Sequence, residues 1–507
     1  MTFMRILKNP FQQAVILGLC SLIAVGSYLV AANEVFRIGF PLDDAWIHQT
    51  YAKNLGEAGS WDFIQGQPSG GSTSPGWTLL LALGYSLKIN PYLWTYLLGW
   101  LILWSSSVLS AYGLRILMPQ STDYGFWAGI FMIFEWHLIW AADSGMETLL
   151  AGFLALAVIT WSIKLTGTDT RFESSKRWQW VGLGGLIGLS VWVRPDGITL
   201  LGIAALTIIT HKSDFSSKLK DGLGFIAGVL LTIIPYLFFN LSLEGQILPN
   251  TFFAKQAEYA ILKELPIWER YADVSKQLVT GVGVVLLPGF IWFIYQSIRK
   301  RRWVEVFATL WILGYLGLYA LRLPVTYQHG RYIMPVMPPF LLFGFIGVTW
   351  LIKSIPKGQF GWIIKYAWVG SIAVTLTAFW LLGMRSYAMD VAVIESEMVE
   401  TAHWIKENTG ADSLIAAHDI GALGFFSDRK LVDLAGLVSP EVIPFIRDEN
   451  ALREHLNSEG ADYLVTFPGW YPELTSAYPL IYQTGGEFSP LMGGENMAVY
   501  KWEQLQP

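Results

Sequence analysis

Long apolar segments are the feature that most constrains the fold of this chain. A transmembrane helix needs roughly 20 consecutive, mostly apolar residues to cross a bilayer. About eleven segments approach that length, at residues 11–32, 92–116, 124–142, 146–164, 180–193, 197–210, 222–241, 277–297, 303–321, 333–352 and 362–384. Because 53% of the 507 residues are hydrophobic and only 14% are charged, the sequence predicts an α-helical polytopic membrane protein.

The charges between these segments predict their orientation. The first segment is longer than the roughly 7–15 apolar residues of a signal peptide, so it is expected to remain as a span behind Arg5 and Lys8. Four short basic loops fall on the side of the N-terminus if residues 75–87 form a helix that does not cross. These loops lie at 164–177, 211–220, 299–302 and 353–357. The positive-inside rule then predicts a multi-pass plasma-membrane protein with a cytoplasmic N-terminus.

Two further features follow from the same pattern. The segments 180–193 and 197–210 are short for spans, so they predict a hairpin that turns at Arg194-Pro195-Asp196-Gly197. After residue 385 the apolar runs give way to acidic and turn-forming residues, which predicts a transmembrane module at 1–385 and a soluble, extracytoplasmic α/β domain at 386–507. Within this domain, residues 397–408 have a helical pattern, and residues 414–417 and 463–467 have the pattern of short buried strands.

Two adjacent carboxylates, Asp43 and Asp44, follow the first apolar segment at the membrane face. Ionisable groups are costly at membrane depth, so such residues are candidates for function. Pro41 and the amphipathic run after the pair predict the start of a surface helix, on which Asp44 and His48 share a face and Asp43 points elsewhere. One carboxylate is suited to take a proton while the other fixes a neighbour or a metal ion. The structural alternative is a helix cap with a solvated acid.

With five motifs on the predicted outer side, this arrangement resembles the GT-C superfamily of membrane glycosyltransferases. The motifs are Ser72-Thr73-Ser74-Pro75-Gly76-Trp77, Ser144-Gly145-Met146-Glu147-Thr148, Arg194-Pro195-Asp196-Gly197, Leu248-Pro249-Asn250-Thr251-Phe252-Phe253-Ala254-Lys255 and Arg331-Tyr332-Ile333-Met334-Pro335. As a set they are most similar to mycobacterial-type arabinofuranosyltransferases, which use polyprenyl-phosphate sugar donors. The resemblance implies a GT-C-like module that moves a sugar, with a pentofuranose among the candidates, to a glycan, lipid or protein acceptor of the cell envelope.

The chemistry that the resemblance implies is an inverting transfer. An acceptor hydroxyl attacks the anomeric carbon of the sugar as the lipid phosphate leaves. The catalytic carboxylate of such enzymes corresponds to the pair Asp43 and Asp44, and we favour Asp44 as the general base because His48 could share its face.

Positive charge at membrane level would stabilise the leaving phosphate. The candidates on the predicted outer side are Arg194, Lys255, Arg331 and His329. Each has a structural alternative, such as a pair between Arg194 and Asp196 or a position of Lys255 at the membrane interface. Because the donor carries a single phosphate, we expect no cofactor and no obligatory metal, with a divalent ion as the alternative.

Sugar or acceptor binding has a separate set of candidates in the transmembrane module. His48 and Glu147 could bind a hydroxyl group, although Glu147 could also cap a helix. Asn250 and Thr251 could bind the donor sugar or form a turn. Trp46 could stack on a sugar ring or belong to the aromatic belt of the membrane interface.

The soluble domain contributes three more acceptor-binding candidates. His418, Asp419 and Asp433 follow predicted strands, where loops gather at the end of a small sheet. These residues could face the membrane and close the acceptor site. Alternatively, the glycines of these loops make tight turns and Asp433 caps a helix.

Several other classes of function are disfavoured. A net charge of −5 without a long basic tract argues against a nucleic-acid partner, and the single cysteine, Cys20, excludes an intrachain disulfide. A polytopic transporter is an alternative, but no inverted repeat is detected in the sequence. A cell-envelope ligase that uses a lipid-diphosphate donor is chemically closer, and it would need more positive charge or a metal at the donor site.

Overall fold

The computed structural model describes residues 9–166, 177–211, 213–247, 249–356 and 358–503. Within these residues, eight helices are long and apolar enough to cross a membrane: Pro10–Val35, Pro91–Leu117, Thr148–Thr166, Phe215–Leu243, Val282–Arg299, Trp303–Arg322, Tyr327–Ser354 and Gln359–Asn408. A ninth span exists if Gly125–Phe134 and Trp136–Asp143, which meet at a 60° bend, are counted together. Two shorter apolar helices cover Trp178–Val193 and Pro195–Thr210.

The predicted apolar segments all coincide with these helices, so the polytopic helical fold is confirmed. The two short helices are joined by the 3₁₀ segment Pro195–Leu200, which begins directly after Arg194; their arrangement as a hairpin stays a prediction. The helix Leu201–Thr210 packs against Trp303–Arg322. Several charges used to predict the orientation lie outside the described residues, namely Arg5, Lys8, Arg171, Lys176, Lys212 and Lys357.

Short elements form a surface layer between the first two spans. The helix Asp44–Ala58 ends at Gly59, whose φ of 72° permits the left-handed turn that stops it. Strands β1 (Asp62–Ile64) and β2 (Gln67–Pro68) form a small antiparallel hairpin. The helix Pro75–Ser86 has 12 residues, which is too short to cross a membrane and agrees with the non-crossing helix predicted at 75–87.

A five-stranded mixed sheet forms the C-terminal part. Its strands are β3 (Leu414–Ala417), β4 (Lys430–Asp433), β5 (Tyr463–Thr466), β6 (Leu480–Gln483) and β7 (Ala498–Lys501), in the order β4-β3-β5-β7-β6. β3 runs parallel to β4 and β5, whereas β7 runs antiparallel to β5 and β6. The loops after β3 and β4 therefore emerge at one edge, and helices Gly421–Phe426 and Glu449–Glu459 lie in the connections.

One continuous helix leads from the membrane bundle into this sheet. It consists of Gln359–Ile394, the π-helical turn Glu395–Val399 and Glu400–Asn408. Glu397 in the π-helical turn is fully buried and accepts a hydrogen bond from the Met497 backbone N–H at 2.8 Å. The domain boundary predicted at residue 385 falls inside this helix and stays a prediction.

Candidate active site

Asp44 begins the surface helix Asp44–Ala58, and its carboxylate faces two cations from distant parts of the chain. Lys255 Nζ lies 3.4 Å from Asp44 Oδ2, and the Arg331 guanidinium forms an ion pair with the same oxygen. Burial alone would raise the pKa of Asp44, but the charges of Lys255 and Arg331 outweigh it and hold that pKa well below its ordinary value. Asp44 is therefore ionised at neutral pH, as a general base or a cation ligand must be.

Arg331 is the most enclosed cation at this carboxylate, with 5% of its side chain exposed. Backbone with positive φ at Gln328, His329 and Gly330 turns the chain just before it. The Arg331 Nη2 atom also donates to the Tyr332 hydroxyl at 3.1 Å. Its Nε and Nη1 atoms are buried and have no hydrogen-bond partner among the described residues. Since buried donors are nearly always paired, these two N–H groups indicate a site for an external acceptor.

Arg194 supplies a second buried guanidinium. It pairs with Asp196 at 3.0 Å and with Glu147 at 3.3 Å. The guanidinium carbon of Arg194 lies 5.8 Å from the centre of the Tyr332 ring, and that of Arg331 lies 5.0 Å from the same ring centre. The two arginines therefore belong to one site that is built around an aromatic ring.

His48 connects the surface helix to the Arg194 pair. It lies one turn after Asp44, and its Nε2 atom is 3.5 Å from Glu147 Oε2. On the other side of the ring, His48 Nδ1 is 3.0 Å from the Ser72 hydroxyl. His48 and Glu147 are 2% and 4% exposed, so this polar chain is held in place by packing. These side chains connect the helix Asp44–Ala58 to Arg194, and they are suited to orient a bound sugar hydroxyl.

The C-terminal sheet adds a third group of side chains. His418, at the end of β3, has Nδ1 2.7 Å from the Tyr471 hydroxyl and Nε2 3.6 Å from Glu258 Oε1. Glu258 lies on the helix Asn250–Glu258, one turn after Lys255. The sheet therefore contacts the same short helix that supplies a cation to Asp44.

Asp419 follows His418 and lies within electrostatic reach of the catalytic candidate. Burial raises the pKa of Asp419, the charge of His418 opposes this, and the charge of Asp44 adds to it. In the described part of the chain, no three or more His, Cys, Asp and Glu side chains are grouped so as to hold a metal ion. The site is thus a set of carboxylates and cations, and its cations Lys255, Arg331 and Arg194 belong to the helical part of the chain that precedes the C-terminal sheet.

Solved structures with the same architecture include three glycosyltransferases. ArnT from Cupriavidus metallidurans, bound to undecaprenyl phosphate, has a TM-score of 0.59 at 14% identity, over 95% of this chain and 97% of that chain. The oligosaccharyltransferase AglB from Archaeoglobus fulgidus, in complex with an inhibitory peptide and a dolichol-phosphate, has a TM-score of 0.54 at 10% identity, over 98% of this chain and 75% of that chain. Arabinofuranosyltransferase AftD from Mycobacteria has a TM-score of 0.51 at 14% identity, over 95% of this chain and 41% of that chain. All three are GT-C glycosyltransferases. The chain has the GT-C fold.

The sequence comparisons add less to the GT-C assignment. Residues 388–500 match a family model described as a domain of unknown function, DUF8728. A comparison with curated protein sequences gives no match. The resemblance to GT-C enzymes is therefore confirmed at the level of the fold alone, because the sequence identities to these solved structures are only 10–14%.

Two predicted site residues of this GT-C fold are engaged elsewhere. His329 Nε2 lies 2.7 Å from Asp390 Oδ2, so its partner is a carboxylate of the long helix and not the Asp44 cluster. Trp46 is fully buried and packs its ring on Phe40 and Phe426. It therefore has no free face on which a sugar could stack, which corrects that expectation.

Three other candidates are buried in local structure. Asp433 accepts hydrogen bonds from the Ala435 and Val438 backbone N–H groups, both at 2.8 Å. It therefore stabilises the turn after β4, whereas the structural alternative for it was a helix cap. Asn250 and Thr251 are buried at the start of their helix. Among the described residues the Thr251 hydroxyl has no hydrogen-bond partner, so Thr251 stays a candidate for the donor sugar.

The structure also reveals site residues that the sequence analysis did not single out. Tyr332 lies under both guanidiniums, and its place next to Arg331 in the quoted motif was a usable signal. Glu258 follows Lys255 by three residues, which is the spacing of neighbours on one helical face. Tyr319 donates a hydrogen bond to Asp196, and nothing in its apolar helix distinguishes it in the sequence.

Proposed function

We propose that this chain is an inverting glycosyltransferase that moves a sugar from a polyprenyl-phosphate donor to an acceptor of the cell envelope. The observation that carries the proposal is the pair of buried Arg331 N–H groups without a partner beside Asp44. Phosphate oxygens are strong acceptors, and their negative charge complements that of the guanidinium group. Two structures of similar fold add support, because ArnT is bound to undecaprenyl phosphate and AglB is in complex with a dolichol-phosphate.

The proposed transfer forms one bond and breaks one bond. The acceptor hydroxyl oxygen attacks the anomeric carbon, and the bond between that carbon and the phosphate oxygen breaks with its electron pair going to the phosphate. Asp44 takes the proton of the hydroxyl group. Arg331 and Lys255 stabilise the phosphate as it gains negative charge, with Arg194 nearby.

Asp44 is a better candidate for the base than Asp43. The Asp44 carboxylate is ionised and pairs with Lys255 and Arg331, the two cations proposed to hold the donor phosphate. In contrast, the Asp43 carboxylate accepts hydrogen bonds from two backbone N–H groups, those of Gly421 and Ala422. In this scheme Glu147 and His48 orient a bound sugar.

The cellular arrangement is part of the proposal. We propose that the N-terminus lies in the cytoplasm and that the site and the C-terminal sheet lie at the outer face of the plasma membrane, which the charges of the connecting loops favour. The acceptor is then a glycan, a lipid or a protein of the envelope, and the sugar has a pentofuranose as one candidate. No divalent metal is required in this scheme, because Arg194, Lys255 and Arg331 supply the charge that a single phosphate needs.

An assay with defined donors tests the proposal. Purified protein in detergent is expected to transfer sugar from polyprenyl-phosphate donors, including polyprenyl-phospho-arabinose, to envelope glycan or lipid acceptors in the presence of EDTA. Mass spectrometry of the product measures the transfer, and the matching polyprenyl-diphosphate sugars are the control donors. Transfer from the diphosphate donors alone, or EDTA inhibition that Mg²⁺ reverses, would contradict the proposal and favour a lipid-diphosphate-dependent ligase.

A pH profile tests the link between Lys255 and the proposed base. Lys255→Gln is expected to move the acid limb of the acceptor kcat/KM profile to higher pH by about one unit. Lys255 helps to keep the pKa of Asp44 low, so its removal raises that pKa and the base becomes protonated at a higher pH. Lys276→Gln is the matched control, since that lysine is 70% exposed. An acid limb that does not move in Lys255→Gln would show that another group takes the proton.

A further inference from the structure

Asp43 joins the membrane helices to the C-terminal sheet at the residue next to Asp44. Its carboxylate accepts a hydrogen bond from the Gly421 N–H at 2.7 Å and another from the Ala422 N–H at 2.8 Å. Asp43 is 8% exposed, and these donors are 378 and 379 residues away in the sequence. Hydrogen bonds to a buried carboxylate are strong and directional. They fix the loop after β3 relative to the proposed base.

The surfaces around this contact fit closely. The Trp46 ring, three residues after Asp43, lies 4.8 Å from the Phe425 ring and 4.6 Å from the Phe426 ring, measured between centroids. A methyl group built on Gly421 would collide with Asp43. The contact therefore needs a glycine at that position, because only a bare backbone can approach the carboxylate so closely.

The docked loop also carries Asp419, two residues before Gly421. Asp419 lies within electrostatic reach of Asp44 and Lys255. Its carboxylate accepts no hydrogen bond from the part of the chain that the structure describes. Asp419 thus offers a carboxylate without a hydrogen-bond partner among the described residues, on the same loop that Asp43 contacts.

We propose that Asp43 is a positioning residue that docks the C-terminal sheet on the helix Asp44–Ala58, so that Asp419 completes the binding site for the acceptor hydroxyl. This inference rests on the proposed function and deepens it. The acceptor site is shared between the helical bundle and the sheet, whereas Arg194 and Arg331 of the donor phosphate site belong to the bundle. Loss of docking therefore weakens the use of the acceptor and leaves the binding of polyprenyl phosphate intact.

Three variants separate docking from chemistry. Gly421→Ala puts a methyl group where Asp43 lies. Asp43→Asn keeps the size of the side chain and replaces one of its two acceptor oxygens with an amide nitrogen. Asp419→Asn changes the Asp419 carboxyl group without altering the contact of Asp43. Gly485→Ala is the control, because a methyl group there meets no atom within 4 Å. Hydrogen–deuterium exchange of the Gly421 and Ala422 amides measures docking. Acceptor kcat/KM and the Kd for polyprenyl phosphate measure the two sites.

The docking variants Gly421→Ala and Asp43→Asn are expected to exchange these amides about tenfold faster and to lower acceptor kcat/KM about tenfold, the effect of losing one buried hydrogen bond. Their Kd for polyprenyl phosphate is expected to stay within about twofold of the wild-type value. Asp419→Asn is expected to lower acceptor kcat/KM without faster exchange, and Gly485→Ala is expected to match the wild type.

Other results would overturn the inference. Faster exchange with unchanged acceptor kcat/KM would show that docking does not complete the site. A loss of polyprenyl phosphate binding as large as the loss of acceptor kcat/KM would show that the two sites are not separate. If the wild-type protein transfers no sugar, the proposed function fails instead, and unchanged exchange in both docking variants would then overturn the docking role by itself.

Discussion

Asp44→Asn is expected to lower the rate of sugar transfer by about 10³-fold, the typical contribution of a general base. The asparagine amide keeps the size of the side chain but does not accept the proton of the attacking hydroxyl. The substitution also removes the negative partner of Lys255 and Arg331, so both cations become freer to bind phosphate. The Kd for polyprenyl phosphate is therefore expected to stay equal or to fall. Product formation measures kcat, and titration calorimetry measures the Kd.

The matched control for this variant is Asp273→Asn. Asp273 pairs with Lys276 at 2.6 Å on an exposed helix surface, so its replacement is expected to leave transfer unchanged. Full activity in Asp44→Asn would exclude Asp44 as the base. A 10³-fold loss in Asp43→Asn, in place of the roughly tenfold loss expected from lost docking, would assign the base to Asp43.

Arg331→Gln is expected to weaken the binding of polyprenyl phosphate by about 100-fold. The Nε and Nη1 donors have no hydrogen-bond partner among the described residues, and each charge-assisted hydrogen bond to phosphate contributes about 1.5 kcal/mol or more. Two such bonds correspond to about two factors of ten in Kd. Arg331→Lys keeps the charge but loses the planar guanidinium group with its separate Nε and Nη1 donors, so it is expected to recover only part of the loss. Titration calorimetry with polyprenyl phosphate measures these effects.

Arg322→Gln is the control for Arg331→Gln. Arg322 ends the helix Trp303–Arg322, near which Arg194 and Tyr319 meet, but its own side chain is exposed. Arg322→Gln is therefore expected to change the Kd for polyprenyl phosphate by less than about twofold. An equal weakening in both variants would mean that general positive charge, and not hydrogen bonds from the Arg331 guanidinium, attracts the lipid phosphate. An unchanged Kd in Arg331→Gln would remove Arg331 from the donor site.

The two adjacent aspartates have different surroundings, which gives them different roles. Asp44 contacts the charged side chains of Lys255 and Arg331, whereas Asp43 contacts backbone N–H groups. Side chains can turn from a carboxylate to a phosphate when the donor binds, but backbone amides in a folded loop cannot. Asp44 is therefore suited to a step in a reaction and Asp43 to a fixed contact.

Local sequence patterns determined the helices of the membrane bundle and two strands of the C-terminal sheet, Leu414–Ala417 and Tyr463–Thr466. The apolar segments all became helices because a helix satisfies its own backbone hydrogen bonds in lipid, and the length of an apolar run is a local property. The start of the surface helix at Asp44 and the short helix Pro75–Ser86 were also predicted, because proline and helix-capping signals act within a few residues. The strand Leu414–Ala417 was predicted from a short apolar run, which is also a local property of the sequence.

Only the tertiary structure decided what each polar side chain faces. Asp44 meets Lys255 and Arg331 across 211 and 287 residues of sequence, and no local pattern predicts such pairs. Helical spacing separated Asp43 from Asp44, but the fold showed that Asp43 faces the sheet. His329 has the right chemistry to bind phosphate, yet it pairs with the carboxylate of Asp390. Trp46 has the right chemistry to stack on a sugar, yet it is completely buried. The role of a polar group depends on the charges and the burial around it, and both come from distant parts of the chain.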